Sequence, residues 1–347
     1  MDVVPYEYAY SVHKIVPCSH VIRWAQIGFL AVMIAREKAV VPTIPFRVRR
    51  GRRPRRPKKS TLNKKRIMST YCDLHTHSFY SDGTYSPAEI LQEAERLGLS
   101  AVALCDHNTV DGIPAFLEAG ETSPVLAIPG VELSTVWQGK ELHILGLFLP
   151  KDSFPALQAY TKDYLARKEA GIREMIRRLN EDGYLLDYAA LQEATPKGRL
   201  NRAHVAAALA EKGYVPSIKA AFDTLLREDG EYYVSTDRPD ALEAIAFLKS
   251  LSALPVLAHP FLDLSREELT QFLPLATKAG LVGMEVLHPS HVGETAEIAR
   301  ALAAEHRLLP SGGSDFHGAR KPDIPLGKEC VPHSYFENFL NYSTYTV

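Results

Sequence analysis

The 347-residue chain has only four cysteines and two tryptophans, and no two cysteines are spaced as CxxC. That leaves no sequence basis for a zinc ribbon or a thioredoxin-like redox pair. Residues 24–35 form an apolar run of about a dozen residues between Arg23 and Arg36, short of the ~20 a membrane-spanning helix needs. No A-x-A cleavage pattern accompanies it, so a secretory signal fits poorly and a cytoplasmic protein is expected. The chain also lacks a GxSxG elbow and a GxxxxGK phosphate loop. Acyl transfer by a serine nucleophile and nucleotide hydrolysis on a phosphate loop are therefore disfavoured. Basic charge is scarce beyond residue 66. Residues 1–66 carry 16 Lys/Arg against three acidic residues, whereas the remainder carries 24 against 38. An acidic body has no broad basic face for general nucleic-acid binding.

The basic first segment is unlike the rest. Arginine and lysine crowd residues 47–59, and like charges at that density resist packing. Residues 1–67 are expected to be a disordered extension dispensable for activity. From residue 71 the pattern alternates. Strands are expected at 71–74, 101–105, 125–128, 141–148, 255–258, 281–287 and 308–311, and helices at 87–97 and 113–119. Ser86 is placed to cap the first helix, with Pro87 at its first position. Near-continuous apolar strands alternating with helices predict an α/β fold, a parallel sheet covered by helices. Residues 151–249 break the rhythm with helical spacing at 156–180, 188–193, 202–212, 217–227 and 239–251. The simplest organisation is a barrel-like domain in two parts, 68–150 and 250–347, with a helical insertion at 151–249 that caps the substrate.

Nine potential metal ligands recur in short clusters: His75, His77, Asp82, His107, Glu132, His143, His259, Asp315 and His317. Histidine and carboxylate suit borderline divalent cations. Alternation along a strand puts His75 and His77 on one side, and likewise Asp315 and His317 if the last strand runs that far. Asp106 and His107 are adjacent and should point apart. His107 is taken as the ligand, and Asp106 as orienting a ligand or holding the loop. Sites on parallel α/β folds lie at the carboxyl ends of strands. His107 follows 102–105, Glu132 follows 125–128 through Pro129-Gly130, His259 follows 256–258, and Asp315 follows the last strand through Gly312-Gly313. His143 lies within its strand. His13, His20, His288, His291, His306 and His333 are taken as ordinary packed or surface residues.

At His75-x-His77, Asp106-His107, Ala258-His259-Pro260 and Ser314-Asp315-Phe316-His317-Gly318 the chain resembles the PHP (polymerase and histidinol phosphatase) family, over about residues 70–330. The resemblance implies a distorted (β/α)7 barrel, TIM-like, with two or three divalent metal ions. Manganese is the first expectation; iron, zinc and magnesium are alternatives. Within the family the chain is similar to the branch of nucleoside 3′,5′-bisphosphate phosphatases and related 5′-3′ exoribonucleases, whose helical insertion corresponds to about 151–249. The implied allocation gives His75, His77 and Asp315 to one ion, His143 and His259 to a second, and Asp82, His107 and His317 to a third. Glu132 would bridge the first two.

Such ions lower the pKa of a bridging water and clamp a phosphoryl oxygen. A metal-bound hydroxide would then attack phosphorus in line, with catalysis resting on Glu132, His75, His77 and Asp315. Arg199, Arg202 and His204 are the expected phosphate contacts, since guanidinium matches phosphate with a bidentate fork. Arg202-x-His204 resembles the family segment that grips a second phosphate near the 3′ position. The two side chains would diverge by ~200° in mid-helix, so they can converge only in a loop or at a helix N-terminus. Arg320 and Lys321 are further candidates. The expected reaction is removal of the 3′-phosphate from nucleoside 3′,5′-bisphosphates. The alternatives are a 5′-3′ exoribonuclease on short 5′-phosphorylated RNA and, in another class, a catalytically silent barrel stabilised by metal. The expected partner is thus a small phosphorylated nucleotide or short oligonucleotide, with no membrane; no stable protein partner is predictable from the sequence.

Overall fold

The computed structural model describes residues 70–343 apart from 196–198 and 228. The expected basic extension at 1–67 lies outside the described residues. The chain begins with β1 (Tyr71–Thr76), α1 (Pro87–Leu97), β2 (Ala101–Leu104) and α2 (Ile113–Gly120). Local chemistry sets α1. Ser86 and Glu89 form a reciprocal capping box, Pro87 occupies the first turn, and Gly98 ends the helix at φ 72, a left-handed conformation that costs glycine least. Ile90, Leu91 and Ala94 bury one face.

A long hairpin follows, β3 (Leu126–Trp137) and β4 (Lys140–Leu147). The strand expected to stop at residue 128 continues through Pro129-Gly130 and pairs antiparallel with β4 from Gly130↔Leu147 to Trp137↔Lys140. Gln138 (φ 48) and Gly139 (φ 81) form the two-residue turn. Positive φ at both positions matches the right-handed twist of the strands. The sheet is therefore not wholly parallel: β4 runs antiparallel to both neighbours.

Between β4 and β5 (Leu254–Leu257) come α3 (Phe154–Glu181), α4 (Tyr188–Glu193), α5 (Arg202–Glu211), α6 (Ile218–Asp223) and α7 (Ala241–Ser250). The 28-residue α3 belongs to two cores. Leu157 packs into the main core, whereas Ile172, Met175, Ile176 and Leu179 join Leu200, Val205, Leu209 and Leu226 in a separate cluster. Ala244, Ile245 and Leu248 of α7 return to the main core. The helical lobe thus has its own apolar centre.

The chain finishes with α8 (Arg266–Ala279), β6 (Gly283–Leu287), α9 (Thr295–Glu305), β7 (Leu309–Gly312), β8 (Val331–Pro332) and α10 (His333–Tyr342). The strand order is β7-β6-β5-β4-β3-β2-β1-β8, a nearly closed barrel. Backbone bonds bring β1 against the segment after β7: Asp315 N donates to His75 O (3.0 Å) and His77 N to Phe316 O (2.9 Å). Gly313 permits that approach. A β-carbon there would lie 2.4 Å from His75 Cβ, closer than any side chain could tolerate. Among the described residues no helix is long and apolar enough to cross a membrane.

Candidate metal centre

The barrel gathers all nine candidate ligands into one contact network, five histidines around the Glu132 carboxylate and Asp82, Asp315 and His317 joined to it through His77 and His107. Glu132 is fully buried in the middle of β3, not beyond a strand end as its sequence position suggested. Its Oε1 faces His143 Nδ1 (2.8 Å) and His259 Nε2 (3.1 Å). Its Oε2 faces His107 Nδ1 (3.0 Å), His77 Nε2 (3.2 Å) and His75 Nε2 (3.4 Å). The hairpin register supplies the His143 contact: Glu132 opposes Leu145 and Ser134 opposes His143, so Glu132 and His143 are diagonal neighbours on one face.

Asp315 Oδ1 lies 3.2 Å from His77 Nε2 and 3.7 Å from His75 Nε2. Asp82 Oδ1 lies 3.2 Å from His317 Nε2, 3.8 Å from His107 Nε2 and 4.0 Å from His77 Nδ1. The last strand ends at Gly312, so strand alternation does not deliver Asp315 and His317. A loop does, with Asp315 held at φ 53. His259 is likewise left-handed at φ 25. Such backbone persists for a non-glycine residue only where contacts over-determine it. Here His259 N donates to Glu285 Oε2 at 2.7 Å, and Asp315 N to His75 O.

A test of fit to metal comes from the buried polar atoms. His77 Nδ1, Asp82 Oδ1, His107 Nδ1 and Glu132 Oε2 are buried and crowd against facing nitrogens and oxygens, the closest at 3.0 Å, without well-directed hydrogen bonds, although buried polar atoms left so are costly and rare. They fall within groups of close donor atoms: His77, Asp82, His107 and His317; His75, His77 and Glu132; and His107, Glu132 and His143. Divalent cations would supply the missing partners, and the nitrogen and oxygen donor set suits them.

The ionisation states follow from the same proximity. Burial opposes protonation of His77, but the Asp315 and Glu132 carboxylates outweigh it and raise its pKa to about 9. His75 and His143 are also raised despite burial, chiefly by Glu132. Burial would push the carboxyls of Glu132, Asp82 and Asp315 upward. The facing His107 overrides this for Glu132 and Asp82, and Lys321 for Asp315, holding all three well below the usual range.

Around the donors lies a layer that holds them. Asp106 accepts from Ser78 N (2.8 Å), Ser78 Oγ (2.6 Å) and Ser81 Oγ (2.6 Å), which fixes the turn carrying Asp82. Sequence reasoning passed over Glu285, gave Asp73 no role and took His288 as ordinary. Glu285 Oε1 lies 3.0 Å from His75 Nδ1, so its carboxylate orients that ring. Its one signal was a single acid inside the apolar strand β6, where burial implies a partner. Asp73 accepts from Ser314 N (3.0 Å), Ser314 Oγ (2.6 Å) and Gly327 N (2.8 Å). His288, taken as ordinary, is buried with Nε2 3.7 Å from Asp315 Oδ2.

A cavity of about 670 Å³ connects this centre to the helical lobe. Its polar end includes Asp82, His107, Glu132, His143, His259 and Asp315. Its other end includes Tyr164, Ile172, Met175, Phe222, Tyr233 and Arg202. Arg202 occupies the first turn of α5, with its guanidinium over the rings of Tyr233 (5.1 Å) and Phe222 (5.4 Å). His204 does not join it at the cavity wall. It is buried as the third residue of a capping box, with Nδ1 2.8 Å from Asn201 Oδ1. Burial, aided by Arg320, pushes its pKa down to about 4. Arg199 is exposed and lines a narrow pocket on the Tyr80, Ser81 and His107 side instead. Lys321 does reach the cavity, with Nζ 2.5 Å from Asp315 Oδ2.

A protein-family model described as PHP domain matches residues 73–252. The chain is 32% identical over 250 residues to a phosphoribosyl 1,2-cyclic phosphate 1,2-diphosphodiesterase of Eggerthella lenta, covering 71% of this chain and 94% of that protein. It is 32% identical over 251 residues to a 5′-3′ exoribonuclease of Haemophilus influenzae, covering 72% and 91%. It is 28% identical over 247 residues to a 3′,5′-nucleoside bisphosphate phosphatase of Chromobacterium violaceum, covering 71% and 86%.

Proposed function

The chain belongs to the PHP domain family and is a metal-dependent phosphoesterase, and from that premise we propose that it removes the 3′-phosphate of nucleoside 3′,5′-bisphosphates. The observation that carries this choice is Arg202. It lines the same cavity as the metal centre but from the lobe side, where a second phosphate of a bound nucleotide would lie. Its fork suits that phosphate, and the Tyr233 and Phe222 faces hold the guanidinium in place.

In this proposal His75, His77, Asp315 and Glu132 hold one ion, Glu132, His143 and His259 a second, and Asp82, His107 and His317 a third. Divalent ions bound there supply Lewis acidity toward a phosphoryl oxygen and lower the pKa of a water. The protein's own residues do the rest. The ligand histidines must present lone pairs, so protons on His75, His77 and His143 leave as metal binds. Glu285 keeps the Nδ1 hydrogen of His75, which leaves Nε2 for the centre. Lys321 offsets the Asp315 charge and meets the anionic substrate. Ile172, Met175 and Tyr164 give the lobe side of the cavity an apolar wall.

Two relatives favour a second reading, phosphodiester cleavage, either of a cyclic ribose phosphate or of a short 5′-phosphorylated RNA. A panel of adenosine 3′,5′-bisphosphate, a 5′-phosphorylated oligoribonucleotide and phosphoribosyl 1,2-cyclic phosphate separates them by kcat/KM. Arg202→Ala should raise KM for the bisphosphate by roughly tenfold or more, with kcat little changed, the pattern of lost ground-state binding. An unchanged KM would refute the second-phosphate contact. Preference for either diester would move the assignment to that substrate.

A further inference from the structure

Glu141 and His143 sit two residues apart on β4 and both line the cavity, as strand alternation requires. The His143 ring is held at both nitrogens. Nδ1 lies 2.8 Å from Glu132 Oε1, and Nε2 lies 3.2 Å from Glu141 Oε1. The other Glu141 oxygen accepts from Arg238 Nη2 at 2.6 Å. Arg238 arrives on the segment that returns from the helical lobe to α7. That segment docks beside the hairpin: Val136 N donates to Pro239 O at 2.9 Å, and Val136 is the register partner of Glu141. Arg238 Nη2 also lies 3.5 Å from the Tyr233 hydroxyl. A line of contacts therefore runs from the metal centre, through His143 and Glu141, to the lobe.

We infer that Glu141 and Arg238 are positioning residues for His143: Glu141 accepts the Nε2 hydrogen so that the Nδ1 lone pair faces the ion shared with Glu132, and Arg238 braces Glu141 from the lobe side. A histidine ligand whose second nitrogen is fixed by a carboxylate is locked in tautomer and orientation and gains basicity. Packing covers this ring less than most of those around Glu132: its side chain is 18% exposed, close to the 15% of His107, against 6% for His259 and 0% for His75 and His77. Its orientation therefore depends on its polar contacts more than on packing. The inference rests on His143 being a metal ligand.

The test titrates manganese into the chelator-stripped full chain by calorimetry, with bound ions counted by mass spectrometry. Glu141→Gln keeps the volume but loses the charged acceptor, and should weaken the ion at His143 by about 10–100-fold. Arg238→Gln should give a smaller loss of the same sign, and Arg238→Lys should recover part of it, which a purely structural ion pair would not do to metal affinity. His143→Ala should abolish one ion. Affinity within twofold of wild type in Glu141→Gln, with one ion lost in His143→Ala, overturns the inference. Unchanged ion count and affinity in His143→Ala instead overturns the ligand assignment beneath it. If Glu141→Gln fails to melt cooperatively, Arg238→Gln decides on the same criterion.

Discussion

Replacing Glu132 by glutamine keeps the volume and removes one charge where five histidines meet. Their nitrogens lie between 2.8 and 3.4 Å from its two oxygens, two on Oε1 and three on Oε2. A glutamine has one acceptor oxygen. Its amide group must turn toward the other histidine set, where it cannot bind a cation. One ion loses a ligand outright, and both lose the compensating charge. Disturbing a group that merely orients a ligand costs about 10–100-fold in affinity or activity, so about 100-fold for each of two ions is a floor. Together that is ~10⁴-fold in kcat/KM, or about 5 kcal/mol of barrier. Stability with metal removed should change far less, because His75 and His143 can shed the protons that the carboxylate holds on them. The assay is kcat/KM on the preferred phosphoester, with ion content counted on protein shown by circular dichroism to be folded. Turnover within tenfold of wild type, with all ions retained, would refute the bridging role.

Glu285→Gln should act at one remove, lowering metal affinity by about 10–100-fold through misorientation of His75; an unchanged titration curve would rule that out. The centre also predicts a pH signature. His77 has a folded pKa of about 9, above the ordinary value near 6.5. Its contribution to stability, on the order of a few kcal/mol, is complete below pH 6.5 and is lost as pH rises through 9. Chelator-treated protein should therefore lose thermal stability between pH 6.5 and 9. His204 and His317, both pushed down to about 4, by burial first and then by Arg320 and Lys321 respectively, act only below that window. Metal affinity should rise across the same window, because binding displaces protons. A melting temperature that climbs with pH in chelator, or a binding heat independent of buffer ionisation enthalpy, would contradict this.

Much of this protein was written locally. The cap at Ser86, the stop at Gly98, the alternation of strand and helix and the helical spacing of the insertion are decided by neighbours in sequence, and they appear close to where expected, although the helix expected at 217–227 spans only Ile218–Asp223. The ligand candidates were legible for a similar reason. Histidine and carboxylate are conspicuous in or just beyond apolar strands, and a known family carries them in the same order. What was not legible depends on distant pairing. β3 passes Pro129-Gly130 because β2 and β4 offer it partners on both sides. Glu285 could not be matched to His75, 210 residues away, nor Asp73 to Ser314, 241 residues away. His204 looked like a phosphate contact until its position in α5 made it a cap. The sequence by itself determined the kind of chemistry, since donor types and local periodicity are properties of short segments. Only the tertiary structure decided which oxygen of Glu132 meets which histidine, and which charges stand behind the ligands. Those relations exist only once barrel closure brings remote strands within hydrogen-bonding distance.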